Sequence, residues 1–84
     1  ISYGRIFKNM FSRQSRQIQD KFNERLLLFI KDQTHSLLNT HPLHGEWLGC
    51  KSINITGNIR AVFEEIGKNH IEFIAIGSHS ELYS

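Results

Sequence analysis

The stretch Lys51-Ser-Ile-Asn-Ile-Thr-Gly-Asn-Ile-Arg-Ala-Val-Phe-Glu-Glu-Ile-Gly-Lys-Asn-His-Ile-Glu-Phe-Ile-Ala-Ile76 decides the fold. Lys51, Ile53 and Ile55 alternate with Ser52 and Asn54, the period of two that a half-buried strand requires. Thr56-Gly57-Asn58 is a turn signal, and Ile59 to Glu65 reads as a second strand. Gly67-Lys68-Asn69 marks a second turn before Ile71 to Ile76, whose Phe73-Ile74-Ala75-Ile76 is apolar on both faces, as an inner strand is. The pattern is an antiparallel meander.

Toward the N-terminus the period changes. Ile18, Phe22, Leu26, Phe29 and Ile30 recur at three- and four-residue spacings, one face of an α-helix. Ile6, Phe7, Met10 and Phe11 repeat that period over a shorter stretch. The expectation is a helical hairpin over residues 4–12 and 14–32, with Ser12 or Ser15 as the N-cap of its second helix and a short strand at Ile1–Tyr3 before it. Gln33 to Leu48 reads as a connecting loop. Helices first and a meander afterwards predict an α+β fold, the hairpin packed on a mainly antiparallel sheet of three to four strands.

The chain has 84 residues, short enough for one domain over residues 1–84, and no repeat or low-complexity run divides it. Its 39% hydrophobic content is that of a globular chain. The longest apolar run, Leu26 to Ile30, is far below the roughly 20 residues that span a bilayer, so no membrane partner is expected. A single Cys excludes a disulfide framework and fits a reducing compartment, hence a cytoplasmic location. Net charge is +2, yet residues 1–31 hold seven bases against two acids, a local +5, while residues 32–84 carry a local −3. That polarity makes the basic helices, with Arg13, Arg16, Lys21 and Arg25, candidates for phosphate contact.

Five histidines is a high density, and three lie outside the regular elements: His41 and His44 in the long loop, His79 after the last strand. Imidazole exchanges a proton near neutral pH, which makes these three candidates for acid–base chemistry. His-x-x-His is common by chance, and no Cys or Asp completes a ligand spacing, so neither metal nor other cofactor is expected. Arg60 is the lone base inside the second strand; it suits either a phosphate or an ion pair with Glu64. Trp47 and Tyr83 are the aromatics left outside an apolar period, and each has the ring to stack on a base.

Three blocks in order, His41-Pro-Leu-His-Gly-Glu-Trp-Leu-Gly49, Ser52-Ile-Asn-Ile-Thr-Gly-Asn-Ile-Arg-Ala-Val-Phe63 and Ile76-Gly-Ser-His-Ser-Glu-Leu-Tyr83, resemble the RelE/ParE superfamily of type II toxins. The nearest branch is that of the RelE- and YafQ-like mRNA interferases. The resemblance implies a toxin that enters the ribosomal A site, cuts mRNA there and is neutralised by a cognate antitoxin; ribosomal RNA and mRNA are the further partners. It also implies site residues. His41 and His79 match histidines of the YafQ-like site, Tyr83 an aromatic that orients substrate, and Arg60 the strand arginine beside the scissile phosphate. Lys51 falls in a region where such toxins carry basic residues, and Asn54 is placed to hydrogen-bond RNA. YafQ-like enzymes carry a histidine and acidic residues where this chain has Ser52, Asn54 and Asn58. Two alternatives are a ParE-like inhibitor of gyrase without enzymatic activity, and an inactive toxin that only binds its antitoxin.

Overall fold

The alternation of residues 51–76 becomes the centre of a sheet, and the amphipathic hairpin before it becomes the cover of one face. The computed structural model describes residues 1–83. In chain order the elements are β1 (Ser2–Tyr3), α1 (Arg5–Ser12), α2 (Arg16–Lys31), β2 (His41–Pro42), β3 (Lys51–Asn54), β4 (Ile59–Gly67), β5 (His70–Ser78) and α3 (His79–Tyr83). The sheet order is β1-β5-β4-β3-β2, antiparallel throughout except that β1 runs parallel to β5. The α+β class and the hairpin match the sequence-based expectation. The short strand expected at Ile1–Tyr3 is present as β1, parallel to β5, and the sheet is wider than expected, with five strands, because the two-residue β2 carries no readable period.

Two further expectations change. Gln33 to Leu48 is not an unstructured connection: it holds two 3-10 turns (Ser36–Leu38 and Gly45–Trp47) flanking β2. Pro42 is tolerated there because β2 is an edge strand, where a missing N–H costs no ladder bond. The α2 seam is also narrower than the spacing implies. Phe22 and Phe29 are buried, but Ile30 and its neighbour Leu27 face outward, each more than 60% exposed. Ser15, not Ser12, caps α2, its hydroxyl accepting from the Ile18 amide at 3.2 Å. Ser12 instead donates back to the Asn9 carbonyl.

On the hairpin side an aromatic core forms from Phe7, Phe22, Phe29, Phe63 and Phe73 with Ile53, Ile55 and Ile76. Phe73 sits within 6.0 Å, centroid to centroid, of the rings of Tyr3, Phe7, Phe22, Phe29 and Phe63. The opposite face carries a smaller cluster of Leu43, Val62, Ala75 and Leu82. A bulge in β5 sets which of its residues face each cluster. Val62 pairs with Ala75 and Phe63 with Phe73, so Ile74 is the extra residue. Phe73 therefore belongs to the hairpin side, Ile74 and Ala75 to the other, and Ile76 to the hairpin side again.

Candidate active site

The face opposite the hairpin is where the polar side chains collect. Paired residues of neighbouring strands share a face, so the register His41↔Ser52↔Val62↔Ala75 is one row across β2 to β5, and Asn54↔Arg60↔Gly77 is the next. His79 follows at the start of α3, and Tyr83 ends it. These segments surround one depression of about 310 Å³, lined by His41, His44, Arg60, His79 and Tyr83 with Pro42 and Leu43. Four side chains named from the sequence as catalytic thus line one hollow. His44, named only as a candidate, lines it too.

Local chemistry explains the placement. The β2–β3 connection is a hairpin loop closed by the Leu43 amide donating to the Cys50 carbonyl at 2.9 Å. Gly45 (φ +64°) and Gly49 (φ +94°) supply the left-handed residues that reverse the chain on either side of Trp47. The Trp47 indole Nε1–H then donates to the Leu82 carbonyl at 2.9 Å, tying the loop to α3. α3 itself begins in a capping box: the Ser78 amide donates to Glu81 Oε1 at 2.7 Å, and the Glu81 amide donates to Ser78 Oγ at 3.2 Å. The Ser78-x-x-Glu81 spacing was readable from the sequence as a helix start. Hydrogen bonding to the carboxyl, first from the Ser78 amide and then from the Ser78 side chain, holds Glu81 below its ordinary value.

The imidazoles differ in freedom. His41 Nδ1 lies 2.7 Å from the Asn39 carbonyl oxygen, which only accepts, so Nδ1 carries the proton. Its Nε2 lies 3.2 Å from Ser52 Oγ, whose hydroxyl donates to it. Ser52 is fully buried. The rings of His35 and His70 are also hydrogen-bonded, to the Leu37 amide and to Ser2 Oγ, away from this hollow. Among the described residues no hydrogen bond engages the ring nitrogens of His44 or His79, and His79 packs at 4.6 Å, ring to ring, on Tyr83.

Arg60 does not pair with Glu64. Its Nη1 donates to the carbonyls of Thr56, Gly57 and Ile59 at 3.0–3.3 Å, so the guanidinium braces the β3–β4 turn, and among the described residues no carboxylate neutralises it. Across that turn lies a second hollow, about 420 Å³, lined by Lys21, Arg25, Asn54, Thr56 and Gly57. Asn54 Oδ1 and Arg25 Nε are buried there without a partner. The structure thus gathers three of the candidate RNA-binding residues. Lys51 is elsewhere, its Nζ 2.9 Å from Glu65 Oε1, and Arg13 and Arg16 lie by the α1–α2 turn, Arg16 paired with Asp20. Burial, then the charge of Glu64, pushes the Cys50 thiol up, away from a nucleophilic thiolate. Among the described residues no group of three His, Cys, Asp or Glu is disposed to hold a metal ion.

A helical hairpin on one face of a five-stranded sheet, with a short C-terminal helix on the other, is the fold of the RelE- and YafQ-type toxins. YafQ from E. coli strain BL21(DE3) superposes with a TM-score of 0.82 at 16% identity, over 99% of this chain and 96% of that one. The YoeB/ParE toxin from Agrobacterium tumefaciens gives 0.75 at 21% identity, over 93% and 95%. A chain of the E. coli DinJ-YafQ toxin-antitoxin complex gives 0.76 at 17% identity, over 99% and 94%. At such identities the likeness is one of fold. No protein-family model and no curated protein sequence matches the chain.

Proposed function

We propose that this chain is the toxin of a type II toxin-antitoxin system, an mRNA interferase that cuts mRNA in the ribosomal A site and acts in the cytoplasm. The observation that carries the reading is the single hollow shared by His41, Arg60, His79 and Tyr83, side chains drawn from β2, β4 and α3. RNA cleavage by its own 2′-OH needs a base for that hydroxyl, charge compensation at the phosphorus and an acid for the leaving 5′-oxygen. His41 and His79 serve as base and acid, one receiving the 2′-OH proton and the other supplying one to the 5′-oxygen, the uncompensated Arg60 guanidinium meets the phosphate oxygens, and the exposed Tyr83 orients the nucleotide.

The helices supply affinity. Asp20 and Glu24 are tied to Arg16 and Lys21, and among the described residues Arg5, Lys8, Arg13, Arg25 and Lys31 form no ion pair, so the hairpin keeps a net positive face toward ribosomal RNA. Lys21, Arg25 and Asn54 line a common hollow beside the turn that Arg60 braces. A cognate antitoxin is the neutralising partner, as in the DinJ-YafQ complex whose fold this chain shares.

The test is mapping of mRNA 5′ ends after brief induction, with and without translation. Cuts inside codons that vanish when translation is blocked support the reading. Wild-type cleavage by both His79→Ala and Arg60→Ala overturns the site. Growth arrest with intact mRNA and an induced DNA-damage response would move the chain to the ParE-like class.

A further inference from the structure

We propose that His44 is a further catalytic residue of this site, a third imidazole that exchanges a proton with the RNA. The proposal rests on the interferase reading above and concerns which groups carry its protons. The hollow contains five polar side chains: His41 from β2, His44 from the hairpin loop, Arg60 from β4, and His79 and Tyr83 from α3. A guanidinium stays protonated throughout the accessible pH range and a phenol gives up its proton only in alkaline solution, so the transfers near neutrality fall to the imidazoles.

Those imidazoles are not equally available. His41 has both ring nitrogens engaged, Nδ1 to the Asn39 carbonyl and Nε2 to Ser52 Oγ. To take a proton from RNA at Nε2, its one lone pair must first turn from the hydroxyl of Ser52, which is fully buried. His44 carries no such tie. It stands in extended backbone at the N-cap of the Gly45–Trp47 turn without a side-chain capping bond, and its side chain is exposed. It also lines the adjoining hollow of about 240 Å³ with Glu46, Trp47 and Tyr83, Glu46 being the carboxylate of that lining. The indole bond from Trp47 to Leu82 fixes the loop against α3, which holds His44 and His79 on the rim of one cavity.

The step balances with these groups alone. The 2′-oxygen forms a bond to phosphorus while the bond from phosphorus to the 5′-oxygen breaks. One neutral imidazole receives the 2′-OH proton, and a second, protonated imidazole delivers its proton to the departing 5′-oxygen. A 2′,3′-cyclic phosphate and a free 5′-hydroxyl result, with no change of oxidation state. His44 and His79 form the unencumbered pair, and His41 shares the transfer only when Ser52 releases it.

The experiment compares the wild-type chain with His44→Ala and His44→Gln on ribosomes programmed with a defined message, following single-turnover cleavage from pH 6 to 8.5. The expected result is a loss of about 10²-fold in both variants, a pH profile missing one limb, and partial recovery of His44→Ala by added free imidazole. Unchanged thermal unfolding separates this from a structural role. If the wild type cuts and both variants match its rate and profile, His44 is no proton carrier and the interferase reading stands. If the variants slow but keep both limbs and imidazole restores nothing, His44 only shapes the loop. If the wild type leaves the message intact, the interferase reading itself falls.

Discussion

Trp47→Phe isolates one bond between the two segments that carry the site. The substitution keeps an aromatic ring in the loop and removes the indole donor that reaches the Leu82 carbonyl at 2.9 Å. A neutral hydrogen bond contributes about 0.5–1.5 kcal/mol net. α3 is five residues long, too short to persist unaided; its other anchors are the buried Leu82 and the Ser78–Glu81 capping box. The loss therefore falls on the docking of α3 before it reaches the sheet. At about 1 kcal/mol the undocked population rises about fivefold. Amide hydrogen exchange followed by NMR reads this directly: amides of residues 79–83 exchange about fivefold faster, while those of β4 and β5 keep their rates. In message cleavage the KM rises severalfold and the pH dependence of kcat keeps its shape. Equal acceleration in the strands, or none in α3, would refute the assignment of Trp47 as a local strap.

Two other perturbations probe the core and the capping box. Phe73→Leu removes a ring packed among five others, and stability should fall by about 2 kcal/mol, with the melting temperature lower by about 8–16 °C; urea unfolding followed at Trp47, the single tryptophan, checks it, and a loss under about 0.5 kcal/mol contradicts the aromatic core. Glu81 is held below its ordinary value of 4.5, so its contribution is complete above that pH and is lost as pH falls through the lower folded value. Glu81→Gln should flatten the acid limb of melting temperature against pH; an unchanged limb shows that other carboxylates set it.

The strands β3 to β5 and both long helices were legible because each is long enough to display its period. β1 was foreseen as a short strand at Ile1–Tyr3 but not its parallel pairing with β5, and β2 was not foreseen at all, since a two-residue strand has no alternation and exists only through its neighbour: Ser2–Tyr3 through β5, His41–Pro42 through β3. Leu27 and Ile30 show the limit of a spacing argument. The apolar run Leu26 to Ile30 covers more of the helix circumference than the sheet can bury, and the narrow Phe22–Phe29 seam wins. The site was legible only in pieces. His41, Arg60 and the His79–Tyr83 pair come from three separate segments, and no local pattern joins them; their chemistry made them candidates, the resemblance linked them, and strand register brought them together. What no spacing disclosed was the difference between His41 and His44. That difference depends on Asn39 and Ser52, a carbonyl two residues back and a hydroxyl on the next strand.

The extra residue in β5 governs how this protein can change over generations. Ile74 and Ala75 lie on the same side of the sheet, and everything beyond them, Gly77, Ser78 and α3, takes its facing from that one step. Removing a single residue there would turn the apolar Ile76 outward and carry His79 and Tyr83 toward the hairpin. Lineages can thus retune the hollow by replacing side chains, one at a time, but length variation in this strand is closed to them. The hairpin loop of residues 43–50, which reverses on glycines and is exposed at residues 44–46 and 48–49, is the segment in which insertions can accumulate and new specificities arise.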